Sequence, residues 1–362
     1  EIISKNRKDI FKRKKDRNIV AFKKINEWET HLAKKIKLKK KISVVNLTSY
    51  SLDSLKSCYI QYLLFKYRVD IVEMNSAEVY EYSASRSIYA KFLTFFKYLF
   101  FNQSRLMIVL KNMFFSKLVN LLKFNKIYAT TCGSTAKNFL LPKMKKAKQI
   151  KFIDFHASDF ANYLENKKKI IKIKNQNYIV FLDAKTPAFR GDKFYLKYKI
   201  NYDKNKWYKD LNNFLEKIER VFNSKVIIVP HPAVRELKNV FYNKKFTVSK
   251  DMDAANNLIR NSRFVISISA TTAVSYCVIY NKPITFIYNN QMIKHNPVML
   301  SEMKIMSKIL SSKIININKN FFKKNLNTRV NKRKYLKYKY DFMTSKKIQN
   351  QTNAEILYKL TR

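Results

Sequence analysis

The chain has 362 residues, enough for two domains of ordinary size that each bury a core. A composition of 46% hydrophobic and 14% aromatic residues excludes a disordered polycation, yet 74 Lys and Arg against 25 Asp and Glu leave a formal charge of +49. So basic a surface is drawn to polyanions, and an anionic membrane surface suits it better than a specific nucleic acid, since there is no helix-turn-helix signature, zinc-ligand spacing or RNP-like aromatic motif.

In chain order, residues 1–41 form a basic, helix-compatible lead that reads as a solvated face or an electrostatic anchor. Ile42–Leu47 is the first strand, followed by a polar turn with Thr48 and Ser49, a helix over Ser54–Lys66 and a second strand at Val69–Met74. This is the opening of a doubly wound domain, and Thr48 and Ser49 fall where such domains present ligands. Residues 87–124 are rich in Phe, Leu and Tyr with Lys at helical spacing. They predict amphipathic helices that pack on the first sheet or dip a face into lipid headgroups. Strands at Lys126–Thr131 and Gln149–Phe155 run into Cys132-Gly133-Ser134 and His156-Ala157-Ser158-Asp159. With only two glycines in the chain, Gly133 predicts a positive φ or the close approach of a ligand.

A Lys-rich linker, Glu165–Asn177, places a domain boundary near residue 170. The first domain is then 42–170 and the second 171–320, with a basic helical tail over 321–362. The second opens with the strand Tyr178–Asp183, and a helix over 207–222 leads into a strand that ends at His231-Pro232. Asp251 and Asp253 read as helix-capping residues. Phe264–Ile268, a polar corner, a helix over Thr272–Tyr280 and the strand Ile284–Tyr288 make a βαβ unit, followed by a helix over Met303–Leu310 and a short strand at Ile314–Ile317. Cys58, Cys132 and Cys277 are odd in number and have no C-x-x-C spacing, which predicts reduced thiols. No run of eighteen apolar residues and no signal-peptide pattern is seen, so a cytoplasmic location is expected.

The βαβ corner is the focus. Backbone N–H groups at a helix start favour phosphate, and Ser269, Thr271, Thr272 and Ala273 stand where hydroxyl and N–H donors can add to them. These hydroxyls could equally be ordinary caps. His231 ends a neighbouring strand at the same predicted sheet edge, where open α/β sheets bind ligands.

Phe155-His156-Ala-Ser-Asp159, Phe181-Leu182-Asp183, Val229-Pro-His231-Pro232 and Ser269-Ala-Thr271-Thr272-Ala273 with Lys282-Pro283 follow one another over about residues 150–290. In order and spacing they resemble bacterial surface-polysaccharide glycosyltransferases of GT-B architecture, and the His-Pro and Ser/Thr pair is similar to the motifs of bacterial sialyltransferases and related CMP-sugar transferases. The resemblance implies two Rossmann-like domains facing each other across a cleft, with no cofactor or metal beyond a nucleotide-sugar donor. It implies transfer of a CMP-activated nonulosonic or Kdo-type sugar to a glycan or lipid-linked glycan acceptor of a capsule or lipopolysaccharide, with inversion, at the inner membrane surface. His231 would protonate or contact the leaving phosphate, and Pro232, Ser269, Thr271, Thr272 and Ala273 would hold it. The acidic pair before Gly that supplies the base in sialyltransferases is missing, which leaves Asp159, Asp183 and His156 as candidates. Thr48, Ser49, Gly133 and Ser134 would border the acceptor. A GT-B enzyme using a UDP- or GDP-sugar and a noncatalytic binder of RNA or anionic lipid are the rival readings.

Overall fold

The computed structural model describes residues 25–38, 43–46, 55–73, 110, 114, 117, 124–136, 147–167, 177–183, 202–230, 242–249, 254–320 and 322–361. Thr48, Ser49, His231, Pro232, Asp251 and Asp253 lie outside them, as does most of segment 87–124.

Two parallel sheets organise the chain. The first contains β1 (Ser43–Asn46), β2 (Asp70–Glu73), β3 (Phe124–Cys132) and β4 (Ala147–Phe155) in that spatial order. All three pairings are parallel, with β3 and β4 in register from Phe124↔Ala147 to Cys132↔Phe155. Helix α1 (Ile25–Lys37) packs on α2 (Leu55–Lys66), and Leu32 and Leu64 join Val69, Ile71 and Ile127 in one buried cluster. The basic lead therefore contains a packed amphipathic helix, because Leu32, Trp28 and Ile36 share one helical face.

The second sheet has the order β10-β9-β8-β5-β6-β7. Its strands are β5 (Tyr178–Asp183), β6 (Lys225–Pro230), β7 (Thr247–Val248), β8 (Val265–Ser267), β9 (Ile284–Tyr288) and β10 (Lys313–Asn316). Numbered within the unit, this is the doubly wound order 3-2-1-4-5-6, and every pairing is parallel. The observed α/β architecture thus contains the two Rossmann-like units expected from the sequence. Strand β5 is buried at all six positions, as a central strand with both faces covered must be.

Helix α4 (Lys204–Phe222) covers β5 and β6. Trp207, Leu211, Phe214, Leu215, Ile218 and Phe222 recur along its buried face, and the Asp203 side chain accepts from the Lys206 N–H at its start. Helices α5 (Ala254–Asn261), α6 (Val274–Ile279), α7 (Asn290–His295) and α8 (Pro297–Leu310) complete the unit. The helix expected from Met303 begins six residues earlier, because the Asn296 side chain caps Met299 N–H and Pro297 suits the first helical position. With glycine so scarce, Asn223 (φ 46) and Ser311 (φ 54) take the left-handed position that ends α4 and α8.

After β4 the chain forms α3 (Ser158–Asn166), which packs on α6, and Phe160 lies within the core of the second unit. The C-terminal tail makes the return journey. Helix α9 (Lys332–Tyr338), a π-turn at Lys339–Met343 and α10 (Asn353–Thr361) run from the second unit onto the edge of the first. Ile348 and Ile356 are buried there with Val72, Tyr128, Ile153 and Phe155. The tail read from sequence as a basic helical extension is therefore a strap that contributes core to both units.

Candidate functional site

In the second sheet the chain moves outward from β5 through β6 and β7, then returns to β8 on the other flank. The switch point lies between β5 and β8, where the helices leave in opposite directions and open a crevice at the C-terminal strand ends. Asp183 closes β5 there, in register with Pro230 of β6, while Leu182 pairs with Ser267 of β8. Proximity to the switch point follows for Asp183 and for the corner 268–273. His231 follows directly on Pro230 in the chain.

The corner is built by serine side chains. Ser267 Oγ donates to the Ser269 carbonyl at 2.6 Å and lies 3.4 Å from the Ser269 N–H, folding the chain back on itself directly after the strand. Helix α6 starts without a side-chain cap, its N-cap being Ala273. Ser269 Oγ and Thr271 Oγ1 are both buried without a hydrogen-bond partner. The alternative in which these hydroxyls serve only as caps is thus not what the structure contains, and Thr272 is exposed. Leaving a buried hydroxyl unsatisfied costs roughly 1–3 kcal/mol, so two side by side in a short corner require a reason.

Two further buried donors near this edge lack partners, Asn289 Nδ2 and Trp207 Nε1. Asn289 follows the C-terminal end of β9, and its other side-chain atom caps α7 by accepting from Met292 N–H at 3.0 Å. Trp207 lies in the first turn of α4, which begins on the same side of the sheet. The sequence reading missed both. A polar residue directly after a parallel strand could have flagged Asn289 by the argument applied to Ser269, whereas Trp207 carries no such signal.

Asp183 is 6% exposed and faces two tyrosines. Burial, then the Asp183 charge, pushes the hydroxyls of Tyr208 and Tyr242 far up, so both stay protonated beside the carboxylate. Asp159 reaches the seam from the first unit. It accepts a hydrogen bond from Ser275, two residues beyond Ala273, and burial pushes its carboxyl up to about 7 against the partial relief of that bond. Asn162 Nδ2 donates to the Tyr276 hydroxyl at 2.9 Å, and Tyr163 meets Tyr280 edge-on at 5.7 Å, so α3 is fixed against α6 by side chains. A carboxyl that titrates near neutrality, held across the seam from the corner, has the proton affinity a general acid or base needs.

His156, Gly133 and Ser134 have other work. His156 is buried, with Nδ1 2.8 Å from Thr344 Oγ1 and Nε2 2.7 Å from the Gln351 carbonyl. Burial lowers its pKa and favours the neutral ring, whose Nε2–H donates to the carbonyl, since a carbonyl can only accept, while Nδ1 stays in hydrogen-bond contact with the hydroxyl. Its backbone N–H donates to Asn353 Oδ1 at 3.0 Å. Both ring nitrogens are occupied by the strap, which removes His156 from the candidate bases. Gly133 has the expected positive φ, +78°, but the backbone that approaches it is that of Asp341 and Phe342. Ser134 N–H donates to the Tyr340 carbonyl at 3.0 Å and its hydroxyl to Asp341 Oδ1 at 2.9 Å. The C-terminal strand ends of the first sheet are therefore closed by the protein's own tail at β3 and β4. Lys282, of the Lys-Pro pair, donates to the Ser262 carbonyl at 2.7 Å and serves the fold.

Among the described residues no group of three His, Cys, Asp or Glu could hold a metal ion, and no helix is long and apolar enough to cross a membrane. Cys58, Cys132 and Cys277 form no disulfide.

No protein-family model and no curated protein matches this chain. Among solved structures it is similar to a UDP-N-acetylglucosamine 2-epimerase from Rickettsia bellii, with 12% identity over 93% of this chain and 77% of that one and a TM-score of 0.36. It is also similar to UGT2 of Phytolacca americana, with 8% identity, coverage of 93% and 80% and a TM-score of 0.44. A third is the spinosyn rhamnosyltransferase SpnG, with 8% identity, coverage of 89% and 92% and a TM-score of 0.34. At these scores the likeness carries no argument, and the two-unit α/β assignment stands on strand order and register.

Proposed function

We propose that this protein is a glycosyltransferase that moves a sugar from a nucleotide-sugar donor, bound at the second sheet, to an acceptor hydroxyl presented near the seam. One observation carries the reading. At the switch-point edge of a doubly wound sheet, the hydroxyls of Ser269 and Thr271 are buried without partners, as donors awaiting the oxygens of a ligand phosphate would be. Asn289 Nδ2 and Trp207 Nε1 extend the set toward the sugar or base.

In this reading Ser269 and Thr271, with Thr272 and the Ala273 N–H, hold the phosphate, and His231 stabilises or protonates it as it leaves. Asp159 takes the proton from the acceptor hydroxyl, and Asp183 orients the donor or serves as base in its place. The donor is CMP-linked and carries a nonulosonic or Kdo-type sugar, a choice that rests on the His-Pro and Ser/Thr motifs; a UDP- or GDP-sugar is the rival. The reaction needs no metal and inverts the anomeric centre. The acceptor is a surface glycan reached at an anionic membrane. That location is favoured by the +49 charge and by exposed apolar side chains on the first unit, with Tyr59, Tyr62 and Phe65 along α2 and Leu110 and Phe114 four residues apart in the chain.

Thermal melting with CMP, UDP and GDP tests the reading, followed by donor hydrolysis with the sugar nucleotide of the base that stabilises. Stabilisation by CMP alone supports the CMP-sugar assignment, and stabilisation by UDP or GDP moves the donor to the rival. No response to any nucleotide, together with salt-dependent RNA binding, would overturn the enzyme reading in favour of a polyanion-binding scaffold.

A further inference from the structure

A second concavity lies where α3, α6 and α9 meet. It encloses about 260 Å³ and is lined by Phe160, Tyr163, Ile279 and Leu336, with Lys332 and Lys339 among its polar residues. It receives the C-terminal end of α6, whereas the hydroxyl corner precedes the N-terminal end; six residues of helix put roughly 9 Å between the two.

Among the described residues no carboxylate pairs with Lys332 or Lys339, although Lys337 on the same helix pairs with Asp341 at 2.8 Å. The Lys339 ammonium lies 5.3 Å from the ring centres of both Phe160 and Tyr340, and it is half-buried. Burial first, and the neighbouring Lys167 second, lower its pKa, so the folded chain holds this charge at a disadvantage. An anion in the groove would relieve it. Leu336 is 55% exposed at the same place, an apolar side chain left in water beside aromatic walls.

We propose that this groove binds an anionic amphiphile, with an alkyl or aryl part against Phe160, Tyr163, Ile279 and Leu336 and a phosphate or carboxylate on Lys339 and Lys332. The walls come from α3 of the first unit and from α6 and α9 of the second, so the ligand would bridge the seam between them. Inorganic phosphate satisfies only the lysines and an alcohol only the walls; a molecule with both satisfies the whole groove. The inference is independent of the glycosyltransferase reading, because it uses no residue of the switch-point edge.

Calorimetric titration of the full chain with n-octyl phosphate, kept below its micellar concentration, is the test. One equivalent should bind well above any affinity for inorganic phosphate or n-octanol. Lys339→Gln and the exposed Lys332→Gln should each weaken binding on the order of tenfold, the worth of one charge-assisted hydrogen bond. Lys225→Gln, exposed at the start of β6 and outside the groove lining, should leave it unchanged. Equal weakening by all three, equal binding of octyl and inorganic phosphate, or unchanged binding in Lys332→Gln and Lys339→Gln would overturn the proposal, the first by reducing it to diffuse attraction to a basic surface. Vesicles of phosphatidylcholine with and without phosphatidic acid separate the ligand's sources. Loss of acidic-vesicle binding in Lys339→Gln assigns a membrane lipid, and retained vesicle binding with lost octyl phosphate binding assigns a soluble ligand.

Discussion

Replacing Thr271 by Val keeps the shape of the side chain and removes the hydroxyl, which allows stability and binding to move in opposite directions. In the free protein Thr271 Oγ1 is buried without a partner, a condition that costs roughly 1–3 kcal/mol. Its removal should leave the free protein as stable or more stable, by up to about 1 kcal/mol, or about 2–4 °C in melting temperature for a unit of this size. If the hydroxyl donates to a phosphate, the variant should also lose about 1.5–3 kcal/mol of nucleotide affinity, roughly a 10- to 150-fold rise in Kd. Ser269→Ala should behave alike, with a smaller gain in stability because deleting the oxygen leaves a small void, whereas in Thr271→Val a methyl fills the oxygen's place. Thermal melting without nucleotide and calorimetric titration with CMP, UDP and GDP read the two quantities separately. A Thr271→Val protein that melts several degrees lower and binds its nucleotide unchanged would refute the reasoning, since the hydroxyl would then be serving the fold.

Gly133→Ala should destabilise by about 2–4 kcal/mol, from a left-handed φ of +78° and from a Cβ that would overlap the Asp341 carbonyl, and limited proteolysis should then cut the strap first. His156 gives a pH signature. Its folded pKa lies below the ordinary 6.5, so the unfolded chain takes up the extra proton as pH falls through 6.5, and the ring's contribution is present above that pH and lost below it. The difference in melting temperature between wild type and His156→Gln should therefore shrink from pH 8 to pH 5; a constant difference would contradict the neutral, doubly bonded ring. Asp159, raised to about 7 from 3.8, titrates over an overlapping range with the opposite sign, stability falling as pH rises, but it does so in both proteins and drops out of the comparison. Asp183→Asn should reduce turnover by roughly 10²–10⁴ if the carboxylate is the base, while circular dichroism stays unchanged. A turnover within twofold of wild type would leave the role to Asp159.

Strand and helix identity in the second unit was legible from the chain alone. Tyr178–Asp183 and Ile284–Tyr288 are unbroken apolar runs of strand length, the signature of strands buried on both faces, and the observed strands have those same limits. The corner after β8 was legible too, because a Ser/Thr cluster between a buried strand and a helix can be little else. What the sequence could not supply was where the remote ends go. His156, Gly133 and Ser134 looked like site residues because polar groups after a strand end in a parallel sheet normally face a ligand. The same edge can instead receive another stretch of chain, and here residues 340–353 occupy it. Hydrogen bonds such as His156 to Gln351 join positions 195 residues apart, and no local pattern specifies such a pairing. By itself the sequence determined the doubly wound units and the Ser/Thr corner after β8, since hydrophobic period and turn chemistry act over a few residues. The tertiary structure decided which hydroxyls are left without partners, which histidine is a clamp, and that the basic tail closes over the first sheet, because burial and partner choice are properties of the packed whole.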